Sequence, residues 1–134
     1  MDEYASISQF ISRAVYGMDH QRADIVLEAW AEDGHFTFNL DGAELRRAEG
    51  RETIVGRLSA GWAKPIGTSR HIVTNLWVEE VDDVSAVAVY YLTLASGRAQ
   101  PPAIRATGCY RDRLVRHGET WRWQERTLEL DGPL

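Results

Sequence analysis

Apolar residues recur at steps of three and four through the first part of the chain and at alternate positions through the second, which predicts helices first and strands last. From Tyr4 to about Met18, the residues Ile7, Phe10, Ile11, Val15 and Met18 form one helical stripe. A second helix is expected from about Arg22 to Ala31, with Ile25, Val26, Leu27, Ala29 and Trp30 on its apolar face. Asp24 falls in its first turn, where a carboxylate suits the positive end of the helix dipole, and Glu32-Asp33-Gly34 stops it. His35 to Leu40 alternates as a short strand, Asp41-Gly42 makes a turn, and a polar stretch follows. A third helix is expected from about Arg51 to Trp62, carrying Ile54, Val55, Leu58 and Trp62 in helical spacing and closed by Pro65 and Gly67.

The remainder alternates. Ser69–Val81 reads as a long strand, and Val84–Ser96 is apolar or aromatic on both faces, the pattern of a central strand covered on both sides. Ile104–Val115 and Thr120–Leu130 complete an antiparallel meander through the turn His117-Gly118-Glu119. The order predicts an α+β fold in a single domain spanning residues 1–134. Three N-terminal helices would pack on a curved antiparallel sheet, giving a cone with an open mouth. Such a concavity suits a small molecule.

A length of 134 residues fits one domain, and the net charge of −5 narrows the partners. Arginines are interspersed with acids at Glu44–Arg51 and Arg111–Arg116, so no basic face is expected and nucleic acid is excluded as a partner. No apolar run reaches the ~18 residues a membrane span needs, and Asp2 and Glu3 have the wrong sign for a leader; the expected setting is the cytoplasm. The one cysteine, Cys109, leaves no disulfide within the chain and is expected to be a small buried hydrophobe. The four histidines are scattered, without i, i+4 pairing or a carboxylate cluster, so neither a metal nor a cofactor is expected.

Among the candidates for chemistry, His71 is the most informative, because it lies in a predicted strand. Alternation places it on one face with Val73, Asn75 and Trp77. An inward imidazole needs a partner for its ring N–H, and a carboxylate is the usual one for a basic ring. A hydrogen-bonded core histidine is the structural alternative. Asp19 ends the first helix, where the dipole disfavours its charge, so it either grips a partner such as His71 or caps the second helix. Asp24 is the rival acid. Arg126, with Arg122, Gln124 and Leu128 on its face, reads either as a cation for charge building on a substrate or as a surface ion pair. Tyr16 is a candidate phenolic donor, and Tyr90 and Tyr91 are alternatives of which a regular strand turns only one inward. Trp30, Trp62 and Trp77 are candidate pocket walls or plain core.

The segments AVYGMDHQRADIVLEAWAEDGHFTF, GRETIVGRL, SRHIVTNLWVEE and VSAVAVYYLTL together resemble the SnoaL-like branch of the nuclear-transport-factor-2-like superfamily. The resemblance spans nearly the whole chain. Its most specific pieces are the acid after the first helix and the strand running from His71 to Asn75. It implies an α+β cone, commonly a homodimer through the outer face of the sheet, binding a small hydrophobic ligand. Related activities are dehydration, isomerisation, polyketide cyclisation and dehydrochlorination. By resemblance to the dehydrochlorinating member, His71 and Asp19 correspond to its catalytic pair and Arg126 to its cation for the leaving group. Ala14 stands where that enzyme carries a lysine, which speaks against dehydrochlorination and leaves proton abstraction in place. The expected function is therefore acid/base proton abstraction from carbon by His71, with Asp19, Arg126 and Tyr16 as catalytic partners. Trp30, Asn75, Trp77, Trp62 and Tyr90 are the expected substrate contacts. A dehydratase or lyase is favoured over an isomerase or cyclase, and a non-catalytic binding or dimerisation domain is the alternative.

Overall fold

The computed structural model describes residues 2–62 and 68–133. The first helical stripe becomes α1 (Glu3–Asp19), opened by Asp2, whose carboxylate accepts from the Ala5 N–H at 2.7 Å. It is followed by α2 (Ala23–Ala29), β1 (Trp30–Leu40), β2 (Ala43–Glu49) and α3 (Arg51–Ala60). The chain then runs through β3 (Ser69–Val81), β4 (Ser85–Ser96), β5 (Ala103–His117) and β6 (Thr120–Leu130). Pro65 and Gly67, expected to close the third helix, lie outside the described residues.

Three features depart from the pattern. Strand β1 begins at Trp30, so the Glu32-Asp33-Gly34 stretch expected to stop a helix is already strand. The polar segment after Asp41-Gly42 is itself a strand, β2, exposed along most of its length and therefore without an apolar period to announce it. The sheet is mixed, not antiparallel: its order is β2-β1-β6-β5-β4-β3, with β1 parallel to β6 and every other pair antiparallel. Tight turns force antiparallel pairing within β1–β2 and along the β3–β6 meander, but no hairpin joins β1 to β6. The long crossover leaves that pair free to run parallel.

Helix α1 lays its stripe on the inner face of the sheet. Phe10 meets the Trp123 ring edge-on at 5.2 Å, and Ser6 accepts from Trp121 Nε1 at 2.8 Å. Trp30, Trp121 and Trp123 are completely buried and belong to one aromatic-rich core. Helix α2 crosses α1 at Gly17, where a Cβ would stand 2.7 Å from Ile25 Cγ2, so the close approach requires glycine.

Two bulges decide which side chains face inward. On β3 the pairing with β4 skips a residue between Thr74 and Trp77, and Asn75 takes a left-handed conformation (φ 59°). Beyond it the alternation reverses phase: Leu76 and Val78 turn inward and Trp77 outward. On β6 the pairing with β5 passes from Trp123 to Glu125, leaving Gln124 over. Trp121 and Trp123 point into the core before that skip, and Arg126 and Leu128 after it, so Arg126 does not share the face of Arg122 and Gln124 that simple alternation gives. The outer face of β3–β5 is open in the single chain, with Ile72, Trp77 and Tyr91 exposed, so β4 is not covered on both sides as its composition suggests. Among the described residues no helix is long and apolar enough to cross a membrane.

Asn75 tolerates the left-handed region where a β-branched residue does not. Asn75→Val is expected to lower stability by about 1–2 kcal/mol in urea unfolding, and Asn75→Gly to stay close to wild type.

Candidate active site

Beside the aromatic core the cone stays hollow. A cavity of about 430 Å³ opens between the end of α1, helix α3 and the ends of the strands. That volume lies within the range of small-molecule pockets. Phe36 and Phe38 of β1, Ile54 and Leu58 of α3, Leu94 of β4 and Met18 of α1 give it apolar walls.

His71 and Asp19 face each other on this wall. His71 Nδ1 lies 2.6 Å from Asp19 Oδ1, and the His71 backbone N–H is 3.1 Å from both carboxylate oxygens. A carboxylate only accepts, so Nδ1 carries the proton and Nε2 is the basic nitrogen of the ring. The sequence explains the meeting. Asp19 is the last residue of α1, whose negative end would repel it, and His71, near the start of β3, brings up a backbone N–H and a ring N–H as compensation. Asp19 does not serve α2, whose N-cap is Arg22 and receives no side-chain cap. The side chains of His71 and Asp19 are 19% and 7% exposed, so the ring is open to the cavity while its partner is sheltered. The rival Asp24 is bound at the surface to Arg22, at 2.8 and 3.0 Å, which lowers its carboxyl to about 2 and leaves it away from the cavity.

Arg126 is buried, not a surface ion pair. Its guanidinium stacks over Tyr110 (3.7 Å), Trp123 (4.1 Å) and Phe36 (5.3 Å), and its Nε lies 3.5 Å from Asp112 Oδ1. Tyr90 links the pair, donating its hydroxyl to Asp112 and accepting from Arg126 at 3.1 Å; Trp123 Nε1 donates to the same carboxylate at 2.8 Å. Burial opposes the charge on Arg126, and the surrounding phenols and Asp112 outweigh it, holding the guanidinium above its usual range. Burial pushes the Asp112 carboxyl up, with Arg126 and the hydrogen-bond donors pulling it partly back. The Tyr90 phenol is driven well above its ordinary value, first by loss of solvent. Arg126 is not part of the cavity wall; it is separated from it by Phe36, which is.

The other expected residues scatter. Trp62 lines the cavity. Trp30 is core, packed between Phe36 and Trp123. Tyr90 belongs to the Arg126 network. Asn75 forms the bulge and borders a separate small crevice against α1. Trp77 is turned out by that bulge and 62% exposed, and Tyr16 is half exposed and stacked on His20 at 4.1 Å, so neither forms part of the cavity wall. Asp112, absent from the sequence candidates, shares the inward alternation of Tyr110 and Leu114, a signal that was there to be used. Arg46, Arg57 and Arg105, also on the cavity wall, carried no such signal, since each lies in an exposed stretch. Among the described residues no cluster of three His, Cys, Asp or Glu is placed to hold a metal ion.

A family model described as a SnoaL-like domain matches residues 1–127. Aln2 from a Streptomyces species is 27% identical, with a TM-score of 0.80 over 96% of this chain and 90% of that one. A protein from Catenulispora acidiphila, solved in complex with S-DNPA, is 25% identical, with a TM-score of 0.79 over 96% of this chain and 92% of that one. A scytalone dehydratase-like protein from Novosphingobium aromaticivorans is 20% identical, with a TM-score of 0.77 over 97% and 85%, and shows the fold alone. No curated protein matches the chain.

Removing one partner of the buried pair strands the other charge. Arg126→Met alone is expected to cost about 3–5 kcal/mol in equilibrium unfolding. The double variant Asp112→Leu with Arg126→Met should cost clearly less than the sum of the two single changes.

Proposed function

The chain belongs to the SnoaL-like domain family, and on that footing we propose that it is an acid/base enzyme needing only its own side chains. Its substrate is a small hydrophobic, cyclic molecule, from which it removes a proton bound to carbon. The observation that carries this reading is the 2.6 Å contact of His71 Nδ1 with Asp19 in the wall of an apolar cavity. Asp19 fixes the tautomer and steadies the imidazolium that forms when Nε2 takes the proton. Elimination of water is favoured over isomerisation or cyclisation, all of which begin with this step. The fold-level likeness to a scytalone dehydratase-like protein supports that preference as analogy. The relative solved in complex with S-DNPA supports a ligand-binding role for a chain of this fold.

The cation of this mechanism is the part the geometry alters. Arg126 lies behind Phe36 and is tied to Asp112 and Tyr90, so in this proposal it stiffens the floor and supplies a positive field from below. Tyr16 and Trp77 drop out of the proposed site because both are on the outside. Trp62 remains as a substrate contact.

We also propose that two copies pair through the outer face of β3–β5, where Trp77 (62%), Tyr91 (54%) and Ile72 (46%) lie open together on one surface. Large apolar groups grouped in this way mark interaction surfaces.

Turnover of a panel of cyclic β-hydroxy ketones tests the chemistry. His71→Ala is expected to lose ~10²–10⁴-fold in kcat with an unchanged circular dichroism spectrum, and Asp19→Asn to lose most of the same factor. Equal turnover by wild type and His71→Ala excludes His71 as the base. Light scattering in solution tests the pairing: wild type should run at twice the chain mass and Trp77→Arg at the mass of one chain.

A further inference from the structure

Three exposed arginines line the cavity from three different elements: Arg46 from β2, Arg57 from α3 and Arg105 from β5. Each is held toward it by a separate device. Arg46 stands over the ring of Phe38 at 5.4 Å, and Phe38 is itself a wall of the cavity. Arg57 donates from Nη1 to the Arg47 carbonyl at 3.0 Å, which ties helix α3 to strand β2. Arg105 is the extra residue where the β4–β5 register slips between Leu94 and Ala95, a bulge of the kind that re-aims a side chain.

Among the described residues no acid answers them: the one carboxylate these residues place on the cavity wall is Asp19, and it is committed to His71. Among the described residues no ion pair joins Arg46, Arg57 or Arg105 to Asp or Glu, although acids outnumber lysines and arginines in the chain by 20 to 15. Arg13, Arg22, Arg47, Arg111 and Arg116, away from the cavity, each have a carboxylate partner. A fourth donor adds to the set: Trp62 Nε1, on the same wall, is buried and has no hydrogen-bond partner among the described residues. A buried N–H without an acceptor is an expensive arrangement that a ligand oxygen relieves.

We propose that the cavity binds a small aromatic carboxylate. Arg46, Arg57 and Arg105 hold the carboxylate, and the apolar walls of Phe36, Phe38, Ile54 and Leu58 hold the ring. This deepens the proposed function by naming the substrate class of the same site, and it rests on that reading for the placement of the reactive carbon near His71. Guanidinium forks match a carboxylate in geometry as well as charge, and the apolar walls weaken the screening that makes surface pairs feeble.

Isothermal titration with 2-naphthoate and its uncharged analogue 2-naphthamide tests the assignment without requiring turnover. The carboxylate is expected to bind about tenfold more tightly than the amide at low salt, with the margin shrinking as salt rises. Arg46→Gln and Arg105→Gln should each weaken naphthoate about three- to fivefold and leave naphthamide unchanged, and the combined variant with Arg57→Gln should abolish the preference. Equal affinity for the two compounds, equal losses for both on substitution, or no binding of either at millimolar concentration overturns the proposal. Failure here with His71-dependent turnover of neutral ketones leaves the acid/base reading standing. A carboxylate preference without any turnover removes the acid/base reading and keeps the binding site.

Discussion

The chemistry open to this molecule depends on one hydrogen-bonded junction, where the carboxylate at the end of α1 takes both the backbone N–H and the ring N–H of His71, near the start of β3. The same contact does three things. It relieves a negative charge placed at the unfavourable end of a helix dipole, fastens the first helix to the edge strand of the sheet, and fixes which nitrogen of the imidazole is left basic. A hydrophobic cavity without it is a container. With it, the container holds an imidazole fixed in orientation at its wall.

Away from the cavity wall the interior is filled by aromatic rings and a buried ion pair. Trp30, Trp121 and Trp123 are completely buried, and Arg126 is enclosed by Tyr110, Trp123 and Phe36 with Asp112 and Tyr90 as its polar partners. A buried charge pair contributes little net stability, but it is intolerant of losing one member, and it fixes the position of Phe36 beneath the cavity. The cation expected to meet the substrate directly therefore becomes part of the floor. The cations that line the cavity are on β2, α3 and β5.

Much of the architecture was legible in the residues. Ser69–Val81 and Thr120–Leu130 are strands over those bounds, because period-two alternation with β-branched and aromatic residues leaves little choice. The pairing of His71 with Asp19 was legible too, since an acid at a helix C-terminus and an inward histidine each lack a partner until they meet. What escaped was set by irregularities that alternation cannot express. One residue over at Asn75 moved Trp77 from the inner face to the outer, and one at Gln124 carried Arg126 from a surface row into the core. Strand β2 escaped because its side chains are mostly exposed, and exposure leaves no pattern. Arg46 and Arg105 escaped for the same reason: an arginine on a rim and an arginine in solvent read alike until the walls around them are known.

Nitrogen-15 NMR of the imidazole of His71 tests the central claim most directly, because the chemical shifts of the two ring nitrogens report which one holds the proton. Neutral His71 is expected to show a protonated Nδ1 and a bare Nε2 in the wild type, and to shift toward averaging between the two tautomers in Asp19→Asn. An Nε2-protonated ring in the wild type, or a spectrum indifferent to the loss of the carboxylate, would contradict the account.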